Sequence, residues 1–411
     1  MSIRILSNPI ILAALILIAP ARAITPISSI PTSHEAKGIH VYYDKVIIAE
    51  GESGVEIIDV SNPLAPYRVN SYDTPGSAEA VYFYYPELYI ADGDSGIIIL
   101  DLYDPYHPRL ISRIPIDGFV GSMSVSCGIV YAGVRNQGIM SFIVVNPEEP
   151  GYLTSVDSQG PAYQVFGPCG ATFLADGQAG IGYYASSNPD TLAFVGGQDT
   201  DGSALRLYTD AGYAYVADSA NGLVIVNVDD PANMSVVDHY QTPGAALDVL
   251  YWLDNIHIID SEAGLLVLST HENINPAYLD NFQTESQAVS ITLWDPYYYL
   301  VDKHRLYIID MYPTGVAEHD NHTPQSFFIA RNYPNPFNLS TAIEYNLPHP
   351  GDISLEIFDV LGRRVWVDSR PNQPAGENSF TWQADGFSSG TYFYRLQAGD
   401  NTYSNKMILL K

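Results

Sequence analysis

Gly54, Gly96, Gly138, Gly180, Gly222 and Gly264 recur with one unbroken period of 42. An internal period of about 40–45 residues marks a β-propeller, in which each repeat is one four-stranded blade that can bury its faces only against its neighbours. Each unit repeats the same pieces. An apolar strand ends in an acid, as in Ile90-Ala91-Asp92 or Val216-Ala217-Asp218. A glycine turn follows, and then a second apolar strand such as Ile97-Ile98-Ile99-Leu100-Asp101. A proline corner and a polar outer strand close the unit, often at Thr-Pro-Gly (Thr74–Gly76, Thr242–Gly244).

The third-strand segments start near residues 55, 97, 139, 181, 223, 265 and 306. The last unit lacks an outer strand of its own. Ile27–Thr32 fits that role, because Ser33-His34-Glu35-Ala36 aligns with the segments that follow the other outer strands. The N-terminal stretch is therefore expected to close the ring and leave no open seam. The expected fold is all-β, a seven-bladed β-propeller followed by a small immunoglobulin-like β-sandwich. An open or six-bladed ring is the alternative.

Leu223-Val224-Ile225-Val226-Asn227 resembles the signature of the LVIVD-repeat propellers, and the resemblance covers roughly residues 25 to 320. Repeats three and four depart most. Ile139–Ile143 and Ile181–Ala185 lack the terminal Asp, and Val134 stands where the other repeats place an acid.

Residues 1–23 read as a secretory signal: Arg4, an apolar run from Ile10 to Ile18, and a small-x-small site at Ala21-Arg22-Ala23. The run is too short to span a bilayer, which takes about 20 apolar residues. With 18 Lys and Arg against 46 Asp and Glu, the chain carries a net charge of −28. Nucleic acid and anionic membrane surfaces are thereby disfavoured as partners. Cys127 and Cys169 are separated by one full period and take equivalent places in adjacent repeats. Such positions are expected to be too far apart for a disulfide, so two buried thiols are expected.

Blades converge on an axis, where small side chains fit. Two residues beyond the small position that opens each first strand lie Gly38, Ala80, Ser122, Gln164, Arg206, Asp248 and Ser290. These are expected to line the channel, with Arg206 and Asp248 paired across adjacent blades. The repeated acids Glu50, Asp92, Asp176, Asp218, Asp260 and Asp302 end strands at tight turns, where a carboxylate accepts hydrogen bonds from backbone amides. Asp92 with Asp94, and Asp199 with Asp201, resemble fragments of calcium loops but lack the distal bidentate Glu. No cofactor is expected, with calcium at these four carboxylates as the alternative. His319 and His322, with Glu318 and Asp320, give a poor metal spacing. Tyr82–Tyr85 and Trp294 with Tyr297–Tyr299 could stack on sugar rings, or simply pack.

The period stops near Pro324. Strands are expected at Ile353–Asp359, Ser379–Trp382, Thr391–Leu396 and Tyr403–Leu410. Four motifs occur in order: Tyr333-Pro334-Asn335-Pro336-Phe337-Asn338, Phe358–Arg363, a stretch from Ser389 through Gly390 to Leu396, and Lys406–Lys411. Together they resemble the type A C-terminal sorting domain of the bacterial type IX secretion system. The resemblance implies export across the outer membrane, type IX machinery as a partner, and removal of the tail when the cargo is released or joined to surface polysaccharide. A plain adhesive sandwich is the alternative. The expected division is a signal peptide at 1–23, a propeller at 24–323, a linker at 324–332 and the sorting domain at 333–411.

On this reading the protein is an exported binding or scaffolding module, secreted or held at the cell surface, with polysaccharide or protein ligands. No Gly-x-Ser-x-Gly elbow or phosphate loop is present. An extracellular carbohydrate-active lyase or hydrolase on the same scaffold is the alternative.

Overall fold

The computed structural model describes residues 24–311 and 332–409, apart from 85, 168–169, 189–190, 272–273, 334–336, 348–349, 359–362, 375 and 399–400. The described residues are all-β, without a helix. Two compact units divide the chain, Met1–Pro313 and Thr314–Lys411.

In the first unit the described strands form seven four-stranded antiparallel sheets that follow one another along the chain. Ala80–Tyr84, Glu87–Ala91, Ile97–Asp101 and Arg109–Ile114 make the second sheet, in that order. Its third strand, Ile97 to Leu100, is buried on both faces and is therefore a continuous apolar run, not an alternating one. The seventh sheet takes its fourth strand from the other end of the chain. Pro26–Pro31 runs antiparallel to Arg305–Asp310, with Ser29 opposite Tyr307 and Ile30 opposite Leu306. Proline at both ends suits an edge strand, where a missing N–H breaks no ladder.

Each apolar cluster of this unit is shared between neighbouring sheets. Ile99 and Tyr89 of the second sheet pack with Val125, Val130 and Phe142 of the third. Ala36, Ile39, Val46 and Ile58 of the first pack with Tyr299, Val301 and Ile308 of the last. The sheets thus stack face to face and the last meets the first, as in a propeller. The glycine beat has a geometric cause. Gly96 sits at φ 81°, and a Cβ there would stand 2.9 Å from the backbone nitrogen of Ile116. Gly54, Gly180, Gly222 and Gly264 share the conformation, at 76°, 74°, 78° and 75°. The turn between second and third strands needs both the left-handed backbone and the missing side chain.

The second unit holds a three-stranded sheet (Asn332–Tyr333, Ser340–Leu347, Gly376–Gln383) and a four-stranded one (Arg364–Gln373, Gly351–Phe358, Gly390–Ala398, Asn401–Leu409). One cluster joins them, with Trp382, Phe380, Tyr394, Leu355 and Met407 all buried. The four expected strands are present. Ser340–Leu347 and Arg364–Gln373 were not expected from sequence. The second carries Pro371 near its end, where the pairing register shifts, and polar residues on its exposed side, which masks its period.

One expectation is corrected. Cys127 is disulfide-bonded, not a free thiol. The chain has only one other cysteine, Cys169, which lies outside the described residues. Cys127 occupies the hairpin turn after the first strand of its sheet, at φ 51°. Equivalent hairpins of the third and fourth sheets approach closely, since the Ser124 hydroxyl donates to the Gly167 carbonyl at 3.3 Å. Convergence of the first strands brings equivalent positions nearer than the sequence reading assumed.

Candidate functional site

The first strand of each sheet has no neighbour strand on one side, so its amides on that edge need acceptors. The residues expected to line a channel supply them. The Ser122 hydroxyl accepts from the Val165 amide of the next sheet at 3.2 Å. Gln164 Oε1 accepts from the Leu207 amide at 2.6 Å. Asp248 Oδ2 accepts from the Ile291 amide at 3.2 Å and from the Ser290 hydroxyl at 2.6 Å. Each amide lies 43 residues beyond its acceptor. Gly38 and Ala80 have no polar side chain to contribute.

Arg206 cannot accept, and the girdle adjusts around it. Its guanidinium points back and donates to the Tyr163 carbonyl at 3.1 Å. The amide it would have served, that of Val249, turns instead to Asp248 Oδ1 at 2.9 Å. Asp248 is buried, and burial pushes its carboxyl up from the usual range against the opposing charge of Arg206. The expected Arg206–Asp248 pair is therefore not a contact. Arg206 acts on Asp248 only through space, because each already has nearer partners.

The repeated acids are all buried. Their bonds reach the loop leading into the first strand, 16 residues upstream, as well as the adjoining turn. His34 N donates to Glu50 at 3.0 Å, Gly76 N to Asp92 at 2.9 Å, Gly160 N to Asp176 at 2.8 Å, Gly244 N to Asp260 at 3.0 Å and Ser286 N to Asp302 at 2.9 Å. Asp218 takes the hydroxyl of Thr200 at 2.7 Å and the Asn221 amide at 2.9 Å. Asp92 takes the hydroxyl of Thr74 at 2.5 Å. Burial raises the carboxyls of Asp92, Asp176 and Asp218, while the donors around each pull the other way. The third repeat, with Val134, also has Ile116 eighteen positions earlier, where the second has Thr74 and the fifth Thr200. Val134 and Ile116 are buried in one apolar cluster, so acid and hydroxyl were exchanged together.

Of the four calcium alternatives, Asp92 is buried and spent on these bonds, whereas Asp94, Asp199 and Asp201 are exposed. Asp199 Oδ1 accepts from the Asp201 amide at 3.0 Å. No cluster of three or more His, Cys, Asp or Glu able to hold a metal occurs among the described residues. His319 and His322 lie outside them. Of the aromatic stretches, Trp294 lies 4.7 Å from Tyr43 and 5.5 Å from Tyr42 between ring centroids, and Tyr82 lies 5.0 Å from His40, whereas Tyr84 is exposed and Tyr85 lies outside the described residues.

Sequence reading missed a cavity of about 350 Å³ on the fourth sheet. Gly182, Gly197, Tyr184 and Phe194 line it, with Gln159, Gln198, Asp176 and Asp199. A signal was available, since Gly182 stands where five other repeats carry Glu56, Ile98, Met140, Val224 or Leu266.

In the C-terminal unit, Phe337 is buried 5.5 Å from the Trp382 ring, Asn338 is exposed, and Tyr333 pairs with Ala342. Gly390 opens its strand opposite Leu409, and Lys406 pairs with Phe393. Pro334, Asn335 and Pro336 lie outside the described residues.

Comparison with known proteins bears on both units. The family profile of the secretion system C-terminal sorting domain matches residues 331–410. That of the LVIVD repeat matches residues 34–74, 75–114 and 201–242. No curated protein sequence matches the chain. Among solved structures, a chain of the mitotic checkpoint complex is similar at a TM-score of 0.57 and 10% identity, over 76% of this chain and 97% of that one. The computationally designed Ika8 protein is similar at 0.49 and 9%, over 68% and 98%. PorZ, a surface component of the type IX secretion system of Porphyromonas gingivalis, is similar at 0.41 and 13%, over 92% and 66%. With so little sequence in common, the first likeness is one of fold alone.

Proposed function

From a chain that carries LVIVD repeats and a type IX secretion sorting domain, and is thereby exported to be secreted or held at the cell surface, we propose a binding or scaffolding module. Its cargo is a seven-bladed propeller over residues 24–323. Its address is an immunoglobulin-like sandwich over residues 333–411, joined by a linker at 324–332 and cut away on delivery. Residues 1–23 are the signal that starts export. The sorting domain engages the type IX machinery, and among the described residues no helix is long and apolar enough to cross a membrane.

The observation that carries the binding reading over the enzymatic one is the commitment of the repeated carboxylates. Glycoside hydrolysis needs a pair of carboxyl groups facing a shared substrate. Here the acids from Asp92 to Asp302 are buried and hold the protein's own amides and hydroxyls. Closure by Pro26–Pro31 supports the ring, and the apolar cluster common to both C-terminal sheets supports the sandwich.

The test is intact mass and terminal peptide mapping of the mature protein from the producing bacterium, beside a chain lacking residues 331–411. The expected result is a surface or released form without residues 1–23 and without the tail, and a truncated chain trapped in the periplasm. A tail that stays on the surface-exposed protein would overturn the delivery reading and make the sandwich an adhesive domain.

A further inference from the structure

The fourth sheet breaks the repeat at one cross-strand pair. In the other sheets the second residue of the third strand faces a side chain on the fourth: Glu56 faces Ser71, Ile98 faces Arg113, Met140 faces Ser155, Val224 faces His239 and Leu266 faces Asn281. In the fourth sheet Gly182 faces Gly197. Glycine inside a strand gives up cross-strand packing and backbone entropy, and often marks a place where a ligand approaches closely. Both glycines line the cavity of about 350 Å³.

The third sheet is an internal control. Phe142 and Tyr152 sit one full period before Tyr184 and Phe194. They pack alike, at 5.8 Å and 70° against 5.4 Å and 66°. There Met140 and Ser155 occupy the floor. In the fourth sheet the rings stand over bare backbone. A Cβ on Gly182 would lie 2.9 Å from the Tyr184 ring, and one on Gly197 would lie 3.2 Å from that of Phe194.

A second observation points to a ligand. Tyr184 is 1% exposed and lines the cavity, yet among the described residues nothing hydrogen-bonds its hydroxyl. The hydroxyl is the one part of this ring that reaches the open cavity, where a polar ligand group can meet it. Burial pushes this phenol up to about 12, so it stays a neutral donor at physiological pH. Around it the rim offers Gln159, Gln198 and the exposed carboxylate of Asp199, and no Lys or Arg.

We propose that this cleft binds a neutral saccharide, a ligand class that deepens, and rests on, the binding-module reading. A sugar's C–H face lies against Phe194, and its hydroxyls meet Tyr184, the two glutamines and Asp199. The volume is at the small end for ligand pockets, which run about 300–1,000 Å³, and so suits one or two sugar units. Anionic ligands are repelled, because the lining holds carboxylates without a compensating cation.

The experiment uses the full chain without residues 1–23 on an array of neutral and acidic oligosaccharides, followed by titration of the strongest neutral hit. Gly197→Asn copies the sixth sheet and fills the floor; Tyr184→Phe removes only the hydroxyl. The expected result is binding to a neutral sugar, weakened about tenfold by Tyr184→Phe, as loss of one buried hydrogen bond gives, and abolished by Gly197→Asn, with both variants folded by melting curve. Binding confined to acidic sugars, or binding untouched by both variants, overturns the proposal. Silence across the array, while surface cross-linking in the producing bacterium still captures a protein partner, overturns the saccharide and keeps the module. Silence in both overturns the two together.

Discussion

The backbone nitrogen of Ile24 donates to the carboxylate of Asp280 at 2.8 Å, across 256 positions of chain. Ile24 packs against the cluster of Leu250, Ile259 and Leu265, two residues before the strand that closes the last sheet. Cleavage after Ala23 would turn this amide into an α-ammonium and the bond into an ion pair, which is stronger than a neutral hydrogen bond. A protein beginning at Ile24 should therefore melt higher than one carrying two extra N-terminal residues. Asp280→Asn should lower the first and barely move the second, by about 1–2 kcal/mol against a few tenths. Equal effects in both backgrounds would remove the charge from the account.

Thr74 and Asp92 form a unit that the third repeat has replaced with Ile116 and Val134. Asp92→Val alone leaves the Thr74 hydroxyl and the Gly76 amide without their acceptor, and should cost about 2–4 kcal/mol in chemical denaturation. Adding Thr74→Ile should recover at least about 1 kcal/mol, a coupling expected of contacting residues. Strict additivity in the cycle would show that the two positions are independent.

Asp248 serves three donors at once: Ser290 Oγ, Ile291 N and Val249 N. Asp248→Ala should destabilise the first unit by about 3 kcal/mol, whereas Ser122→Ala, which strands one amide, should cost about 1 kcal/mol. Thermal denaturation of the two variants side by side checks the ranking.

His257 is buried against the Tyr298 ring, 4.3 Å between centroids, and burial pushes it down from 6.5 to about 4. A histidine lowered on folding contributes stability that is complete above its unfolded value near 6.5 and lost as pH falls toward 4. The loss approaches about 3 kcal/mol, at about 1.36 kcal/mol per pH interval of one. His257→Phe keeps a ring beside Tyr298 and cannot take up a proton. Its stability relative to the native protein should rise steadily between pH 6.5 and 4, in urea titrations at each pH. The buried carboxylates are common to both proteins and drop out of the difference.

The period of 42 determined the sheet-forming repeat, its glycine turns and the borrowed strand at Pro26–Pro31, because those features are local and recur at fixed offsets. The ordered motifs from Tyr333 to Lys406 likewise marked the sorting domain, since motif order is itself a property of the chain. What lay between repeats was not legible. Whether Arg206 touches Asp248, where Cys127 comes to lie and how the acids reach a loop 16 residues upstream depend on how the strands and sheets converge. That geometry is set by packing over the whole ring. The fourth-sheet cleft shows the division most sharply. Gly182 and Gly197 are visible in sequence as two departures from the repeat, but only strand pairing sets them opposite each other and lets the Tyr184 and Phe194 rings settle onto bare backbone beside the cavity.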